Sequence, residues 1–247
     1  MIHRFEHVGR RNFIGGSDAR IIMGADEAAL MRLWREKRGE VGPEDLSGNL
    51  IVQLGKVTED LNRSWYERNT RRTVIDVQRL VRHSAIPWMA ATLDGIVEGL
   101  GAVFEAKFML PWSFSEEAAA EKYMAQVQHN MWVTHLRSAL LSIITGGGKW
   151  VEITIPMDPL YLSVLVSAEK KFWRCVQSGV PRGDPYCRHE LIQFLGGVRG
   201  AVSQYAHCLP QPRASKERTQ EPHSRGRQGG DRTWGASEAI EIGRGEL

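Results

Sequence analysis

Residues 101–109 read GAVFEAKFM, a short apolar stretch with a carboxylate and an amine set into its middle. Side chains of an extended chain alternate between faces, so Glu105 and Lys107 share one face while Ala102, Phe104, Ala106 and Phe108 line the other. The second face reads as core, anchored by Phe104 and Phe108 at about 1.5–3 kcal/mol each when buried. The first face poses the problem, since two opposite charges need a reason in a strand this apolar. An ion pair at a sheet edge is one answer. Half of a metal site is the other.

The neighbouring residues bear on that choice. WMAATLDGIVEG (88–99) is a second strand candidate, joined to the first through Gly99, Leu100 and Gly101, a tight hairpin signal. Such a hairpin puts Asp94 near the level of Glu105 and Lys107. Two converging carboxylates repel unless protonated or bridged by a cation, and hard oxygen ligands with open positions suit Mg²⁺ or Mn²⁺. A lysine beside that ion can orient or help deprotonate a water and stabilise charge developing on a phosphate. The Asp–Glu-x-Lys pattern is short and recurs by chance, so its context decides.

Further out, the chain alternates helices and strands. GGSDARIIMG (15–24) predicts a short helix with Ser17 as N-cap, and Asp26 caps a second helix ending near Gly39. A longer amphipathic helix spans Leu50 to Thr70 and puts Gly55 and Glu59 on one face. TVIDVQRLVRH (73–83) precedes the two strands already described. A helix capped near Ser115 follows them, then a hairpin around residues 146–148, then a helix from Asp158 that stops at Gly179–Pro181. The fold class is α/β: a mixed, largely hairpin-built central sheet flanked by helices.

Composition narrows the function classes. The 247 residues hold one large domain plus a tail, and the net charge of +3 is compatible with nucleic acid without requiring it. No apolar run approaches the ~20 residues that span a bilayer, and the opening MIHRFEHVGRRNF has no signal core, so a cytoplasmic protein without membrane association is expected. Cys175, Cys187 and Cys208 lack CxxC spacing and read as free thiols, with a zinc or iron–sulfur site as the rarer alternative. From residue 209 onward large apolar residues nearly vanish. We therefore expect a folded domain over 1–208 and a disordered, locally basic tail over 209–247, carrying Arg213, Lys216, Arg218, Arg225, Arg227 and Arg232. That tail is a solvated linker or a nucleic-acid tether.

Each candidate also has a plain structural reading. Glu59 could pair with Arg63 at i,i+4, worth only about 0.3–0.5 kcal/mol. Gln126 and Gln128 could be exposed helix polars; about 200° apart on a helix, they cannot both face one site, and periodicity does not choose between them. Trp65, Tyr66, Trp132, Phe172 and Trp173 read as core, and His129 and His135 as structural. Trp112, after Pro111, is the aromatic best placed to touch a nucleic acid if one binds. Residues 146–149, GGGK, lack the spacing of a phosphate loop and read as a hairpin turn.

A helix carrying an acid, then a hairpin carrying Asp and Glu-x-Lys, then YMAQVQHNMWVT (123–134) resembles the YqaJ-like viral recombinases and lambda-type phage exonucleases, within the PD-(D/E)xK nuclease superfamily. RRNFIGGSDARIIMG (10–24) and FWRCVQSGVP (172–181) add weaker matches, so the resemblance runs from Arg10 to Pro181. It implies a restriction-endonuclease-like core, with Asp94 and Glu105 as metal ligands and the Ala106 backbone carbonyl as a third. Lys107 would assist the nucleophilic water, Glu59 would support the metal cluster, and Gln128 would be the active-site glutamine. Arg10 and Ser17 would bind a terminal 5′-phosphate, a role for which a helix N-terminus beside an arginine is apt; spacing makes Arg11 an equal candidate.

The same resemblance implies a Mg²⁺- or Mn²⁺-dependent DNA exonuclease that degrades duplex ends 5′ to 3′ and leaves a 3′ single strand. It further implies a trimeric, ring-like homo-oligomer, a single-strand annealing partner, and a phage or prophage setting in a bacterial cytoplasm. The alternatives are a restriction-like or structure-specific endonuclease on the same core, and a non-catalytic DNA-binding module. Two positions depart from the family pattern: Leu93 stands where a proline often precedes the aspartate, and His135 follows the VT pair. Neither departure removes a metal ligand.

Overall fold

The computed structural model describes residues 9–178. The tail expected over 209–247, the helix stop at Gly179–Pro181, and Cys187 and Cys208 lie outside that range. Cys175 is buried.

Two short helices come first, α1 (Gly16–Met23) and α2 (Glu27–Lys37), then the long α3 (Leu50–Thr70). Asp26 caps α2 as expected, its Oδ1 accepting the Ala29 N–H at 3.0 Å. The α1 cap differs from expectation. Its N-cap is Gly15, and Ser17 lies inside the first turn. Asp18, not Ser17, accepts the Gly15 N–H, at 2.9 Å. The carboxylate three residues into the helix thus does the capping and leaves the Ser17 hydroxyl exposed.

The central sheet has five strands in the order β1 (Val74–Ile75), β4 (Gly95–Val97), β5 (Ala102–Met109), β6 (Ser138–Thr145), β7 (Trp150–Pro156). β5 and β6 are parallel, and α4 (Glu116–Thr134) makes the crossover between them; the other pairs are antiparallel. The chain then enters α5 (Pro159–Gln177), whose first turn is capped by Asp158.

Both strand candidates before β5 are broken. The first splits into β1 and β2 (Leu80–Arg82), the second into β3 (Ala90–Thr92) and β4, and β2 and β3 form a separate two-stranded ribbon. The breaks lie side by side in one bent hairpin. On the first strand Asp76 and Gln78 take positive φ. On the second, Gly95 leaves space that a Cβ would not, since one built there would lie 2.2 Å from Val74 Cγ1. The bend carries the ribbon away from β5, so β4 pairs with β5 only as far as Phe104.

Helices cover both faces of β5. Tyr66 of α3 packs on Phe104 with ring centroids 5.1 Å apart. Val103, on the opposite face, joins the larger core formed with Tyr123, Val127 and Met131 of α4. Ala102 through Ala106 are therefore all buried, whereas Phe108, expected as a core anchor, is half-buried near the sheet's end.

Candidate active site

The bend leaves one edge of β5 without a strand partner, and a side chain fills the gap. Asp94 sits at the break between β3 and β4, and its Oδ2 accepts the Ala106 N–H at 2.9 Å. The N–H and C=O of a strand residue leave on the same side, so the Ala106 carbonyl is presented to the same open edge. Asp94, Glu105 and Lys107 thus meet where β4 peels away, at the C-terminal half of a parallel strand, the usual place for a site in α/β sheets.

Glu105 is 2 % exposed and held by three donors. Lys107 Nζ donates to its Oε1. Gln126 Nε2 donates to the same oxygen at 2.5 Å, and Asn130 Nδ2 to Oε2 at 3.0 Å. The ion pair posed by the strand's charged face does form, within β5 itself, but as one part of a larger constellation. Burial pushes the Glu105 carboxyl up, with Asp94 and Glu59 adding repulsion and Lys107 opposing them, to about 7. Burial also raises Asp94, against Lys107, the Ala106 N–H and Arg63. Burial draws the Lys107 ammonium down, but Glu105 and Asp94 outweigh it and hold its pKa above the ordinary lysine value.

Such a donor set fits a divalent cation. A buried and a half-buried carboxylate that resist ionisation side by side, with a backbone carbonyl on the same edge, are what a hard ion relieves. Glu59 stands apart from them. It is half-buried and accepts from Gln78 Nε2 at 3.3 Å, while burial and then the nearby Asp94 raise its pKa. Among the described residues no three His, Cys, Asp or Glu side chains group closely enough to hold a metal. Glu59, expected to support the metal cluster, lies on the flank of the site, near enough to Asp94 and Glu105 to raise both its own pKa and that of Glu105, with its carboxylate bonded to Gln78. Nor does Glu59 take its simpler partner, because Arg63 pairs with Asp60 at 2.9 Å.

Gln128 is corrected outright. Its Nε2 donates to the Pro156 carbonyl at 2.9 Å and its Oε1 accepts the Asp158 N–H at 3.1 Å, so it joins α4 to the turn between β7 and α5. Gln126 faces the site in its stead. Asn130, four residues on, shares that face and was not anticipated. More than half of α4 is buried, leaving no polar side to mark its orientation. The available signal was the pair itself, two amides at i,i+4 in a helix beside a Gly-Gly-Ser segment. That segment lies against them: a Cβ on Gly16 would come 2.5 Å from Asn130 Oδ1 and 3.0 Å from Gln126 Cγ.

Asn62 was also missed. One turn after Glu59 and 1 % exposed, it donates from Nδ2 to the carbonyls of Ser142 at 2.8 Å and Lys107 at 3.2 Å. Its Oδ1 accepts from Ser142 Oγ at 2.5 Å, and that hydroxyl accepts from Trp150 Nε1 at 2.8 Å. The network fixes α3 against β5 at the level of Lys107.

At the start of α1, Arg10 donates to Ser17 Oγ at 2.9 Å. Buried Lys37 holds this segment in place, donating to the Arg10 carbonyl at 2.8 Å, the Phe13 carbonyl at 2.7 Å and Asp18 Oδ2 at 2.6 Å. Arg11 points away from Ser17, its Nη1 lying 3.0 Å from where a Cβ on Gly39 would be, whereas Arg10 reaches that hydroxyl. Trp112 is 81 % exposed in the 3₁₀ turn Pro111–Ser113. His129 is buried against Glu169, and His135 ends α4 in the left-handed conformation.

Comparison with known proteins gives these elements relatives. The model of the YqaJ-like viral recombinase domain matches residues 7–137, which take in α1 through β5 and α4. The uncharacterized protein YqaJ of Bacillus subtilis (strain 168) is 30 % identical over 172 residues, 67 % of this chain and 54 % of that protein. The chain thus spans about half the length of the curated relative it matches. Among solved structures, the alkaline exonuclease LHK-Exo from Laribacter hongkongensis superposes with a TM-score of 0.56 at 16 % identity, over 80 % of this chain and 97 % of that one. A phage-related exonuclease from Haemophilus somnus 129PT gives a TM-score of 0.52 at 12 % identity, over 78 % and 96 %. At such identities the likeness is one of fold.

Proposed function

Because this chain belongs to the YqaJ-like viral recombinase domain family, we propose that it is a divalent-metal-dependent DNA exonuclease acting at duplex ends. One observation carries the reading: Asp94, Glu105 and Lys107 converge on the open edge of β5, with Glu105 held by two amides of α4. Both structural neighbours described above are exonucleases by name, and the first has also been solved in complex with dAMP.

Asp94, Glu105 and the Ala106 carbonyl would hold Mg²⁺ or Mn²⁺, which supplies Lewis-acid activation of water and neutralises charge on the scissile phosphate. The chain's own residues do the rest. Gln126 and Asn130 fix both carboxylate oxygens of Glu105 and so set its direction. Lys107, at the mouth of the site, positions the attacking water and faces the charge that builds on the phosphate as the bond to the leaving oxygen lengthens. Glu59 of α3 and Gln78 of the bent hairpin line one side of the approach. Arg10 and Ser17, at the start of α1, take a terminal 5′-phosphate. On this reading degradation runs 5′ to 3′ and leaves a 3′ strand for an annealing partner, with subunits assembled as a ring in the cytoplasm of a phage-bearing cell.

The test is digestion of linear duplex DNA, with and without a 5′-phosphate, in Mg²⁺ or EDTA, beside a closed circular control. We expect Mg²⁺-dependent loss of the linear substrate, faster with the phosphate, and an intact circle. Replacing Lys107 with Ala should lower the rate at least 10²-fold while DNA binding persists. Wild-type cleavage by that variant would sink the assignment, and a cut circle would make the enzyme an endonuclease.

A further inference from the structure

Three cations converge on one buried ring beside this site, and only one of them belongs to the constellation already described. Tyr123 is 5 % exposed. Lys107 Nζ lies 5.2 Å from its ring centroid, Arg20 Cζ 5.4 Å and Lys122 Nζ 5.5 Å. Arg20 comes from the last turn of α1 and Lys122 from α4, and both are exposed. Among the described residues neither lies within ion-pair distance of a carboxylate, unlike Arg10, Arg32, Lys37, Arg38, Arg63 and Arg79.

Packing does not account for the grouping. A cation over an aromatic face gains about 0.5–1 kcal/mol at an exposed position, and like charges gathered around one ring repel. The helix dipole favours Arg20 at the end of α1 but gives Lys122, in the second turn of α4, no such support. Lys107 already has Glu105, and an anion would relieve the other two. The place is specific: Arg20 is three residues beyond Ser17 and shares its face of α1, so the helix runs from the Arg10–Ser17 pair to the ring that Lys107 contacts.

We propose that Arg20 and Lys122 form a phosphate-binding subsite for the DNA backbone next to the scissile position, on the path between Ser17 and Lys107. The subsite rests on the nuclease reading, and its chemistry is that of phosphodiester oxyanions met by a guanidinium and an ammonium over an aromatic floor. It contributes affinity and register without reading sequence.

The experiment measures the affinity of a labelled duplex carrying a 5′-phosphate at a series of salt concentrations, in EDTA so that no cleavage intervenes. Each lost phosphate contact should flatten the slope of log K against log salt by about 0.9. The double variant R20A/K122A should lose roughly one to two such increments, and R20K/K122R, which keeps both charges, should restore the wild-type slope. Arg32→Ala, an exposed arginine paired with Glu44 on α2, should leave it unchanged. An unaltered slope in R20A/K122A, or an equal loss in Arg32→Ala, would overturn the subsite. If the wild type binds but never cuts in Mg²⁺, the nuclease reading falls, while the salt slopes still judge the subsite.

Discussion

Two glutamines separated by one valine illustrate what a single residue contributes here. Gln126 reaches Glu105, whereas Gln128 bridges Pro156 and Asp158, so exchanging each for alanine should give opposite phenotypes. Gln126→Ala removes a partner that orients the carboxylate proposed to bind the metal, a loss expected at about 10–100-fold in turnover, with thermal stability near wild type. Gln128→Ala removes a fully buried amide and its two part-buried hydrogen bonds, at about 1 kcal/mol each, so it should melt lower yet turn over normally while folded. Measuring kcat on linear duplex and thermal midpoints for both variants decides it; the reverse pattern would return the catalytic place to Gln128. The Glu-x-Lys pair and Asp94 were legible because strand alternation and a Gly-rich hairpin place side chains with a period of two. The glutamine was not, because α4 is buried on most sides and its period of 3.6 has no polar face to orient it.

Among the elements, α3 was legible to its boundaries, since a long amphipathic run declares its own length. The bent hairpin before β5 was not. Its residues read as two continuous strands, and only the closeness of Val74 to Gly95 and the positive φ of Asp76 and Gln78 reveal the break. Yet that break makes the site, because an unbroken β4 would pair with Ala106 and leave no place for the Asp94 carboxylate. Once β4 departs, α3 must hold β5 from its other face, and Asn62 makes that bond. Asn62→Ala should cost about 1–3 kcal/mol, because buried groups of Ser142 and Lys107 lose their partner. Turnover should fall as well, since Lys107 loses its common fixation with the helix bearing Glu59. Urea unfolding of Asn62→Ala, Ser142→Ala and the double variant should give a coupling of about 0.5–3 kcal/mol. Additive losses would mean that the network does not act as a unit.

Across the whole molecule, the family match ends at residue 137, yet α5 lies beyond it and is bound into the same structure. Its Ala168, Phe172 and Trp173 join Ile14, Ile22, Leu30 and Leu33 of the N-terminal segment, α1 and α2 in a second core, and Trp173 stacks on Trp88 at 5.5 Å. An ion pair adds to the apolar packing of α5 on α4. His129 Nδ1 meets Glu169 Oε1 at 2.8 Å and its Nε2 meets the Ala90 carbonyl at 3.0 Å. With an acceptor at each nitrogen, the ring bonds both only as an imidazolium, linking α4, α5 and β3, the strand that leads to Asp94. Burial opposes that charge, but Glu169 and the Ala90 carbonyl outweigh it and raise the His129 pKa. A raised folded-state pKa contributes stability that is complete below the unfolded value of about 6.5 and is lost as pH rises through the folded value. Glu169→Leu should therefore destabilise the protein most at low pH, by about 3–5 kcal/mol at pH 6, because it leaves a buried imidazolium unpaired. As pH rises through the folded-state value of His129 the wild type loses that contribution, and the two urea midpoints should draw together. A deficit that does not change as pH rises would mean that the His129–Glu169 pair contributes no proton-linked stability, and that α5 is held chiefly by its packing.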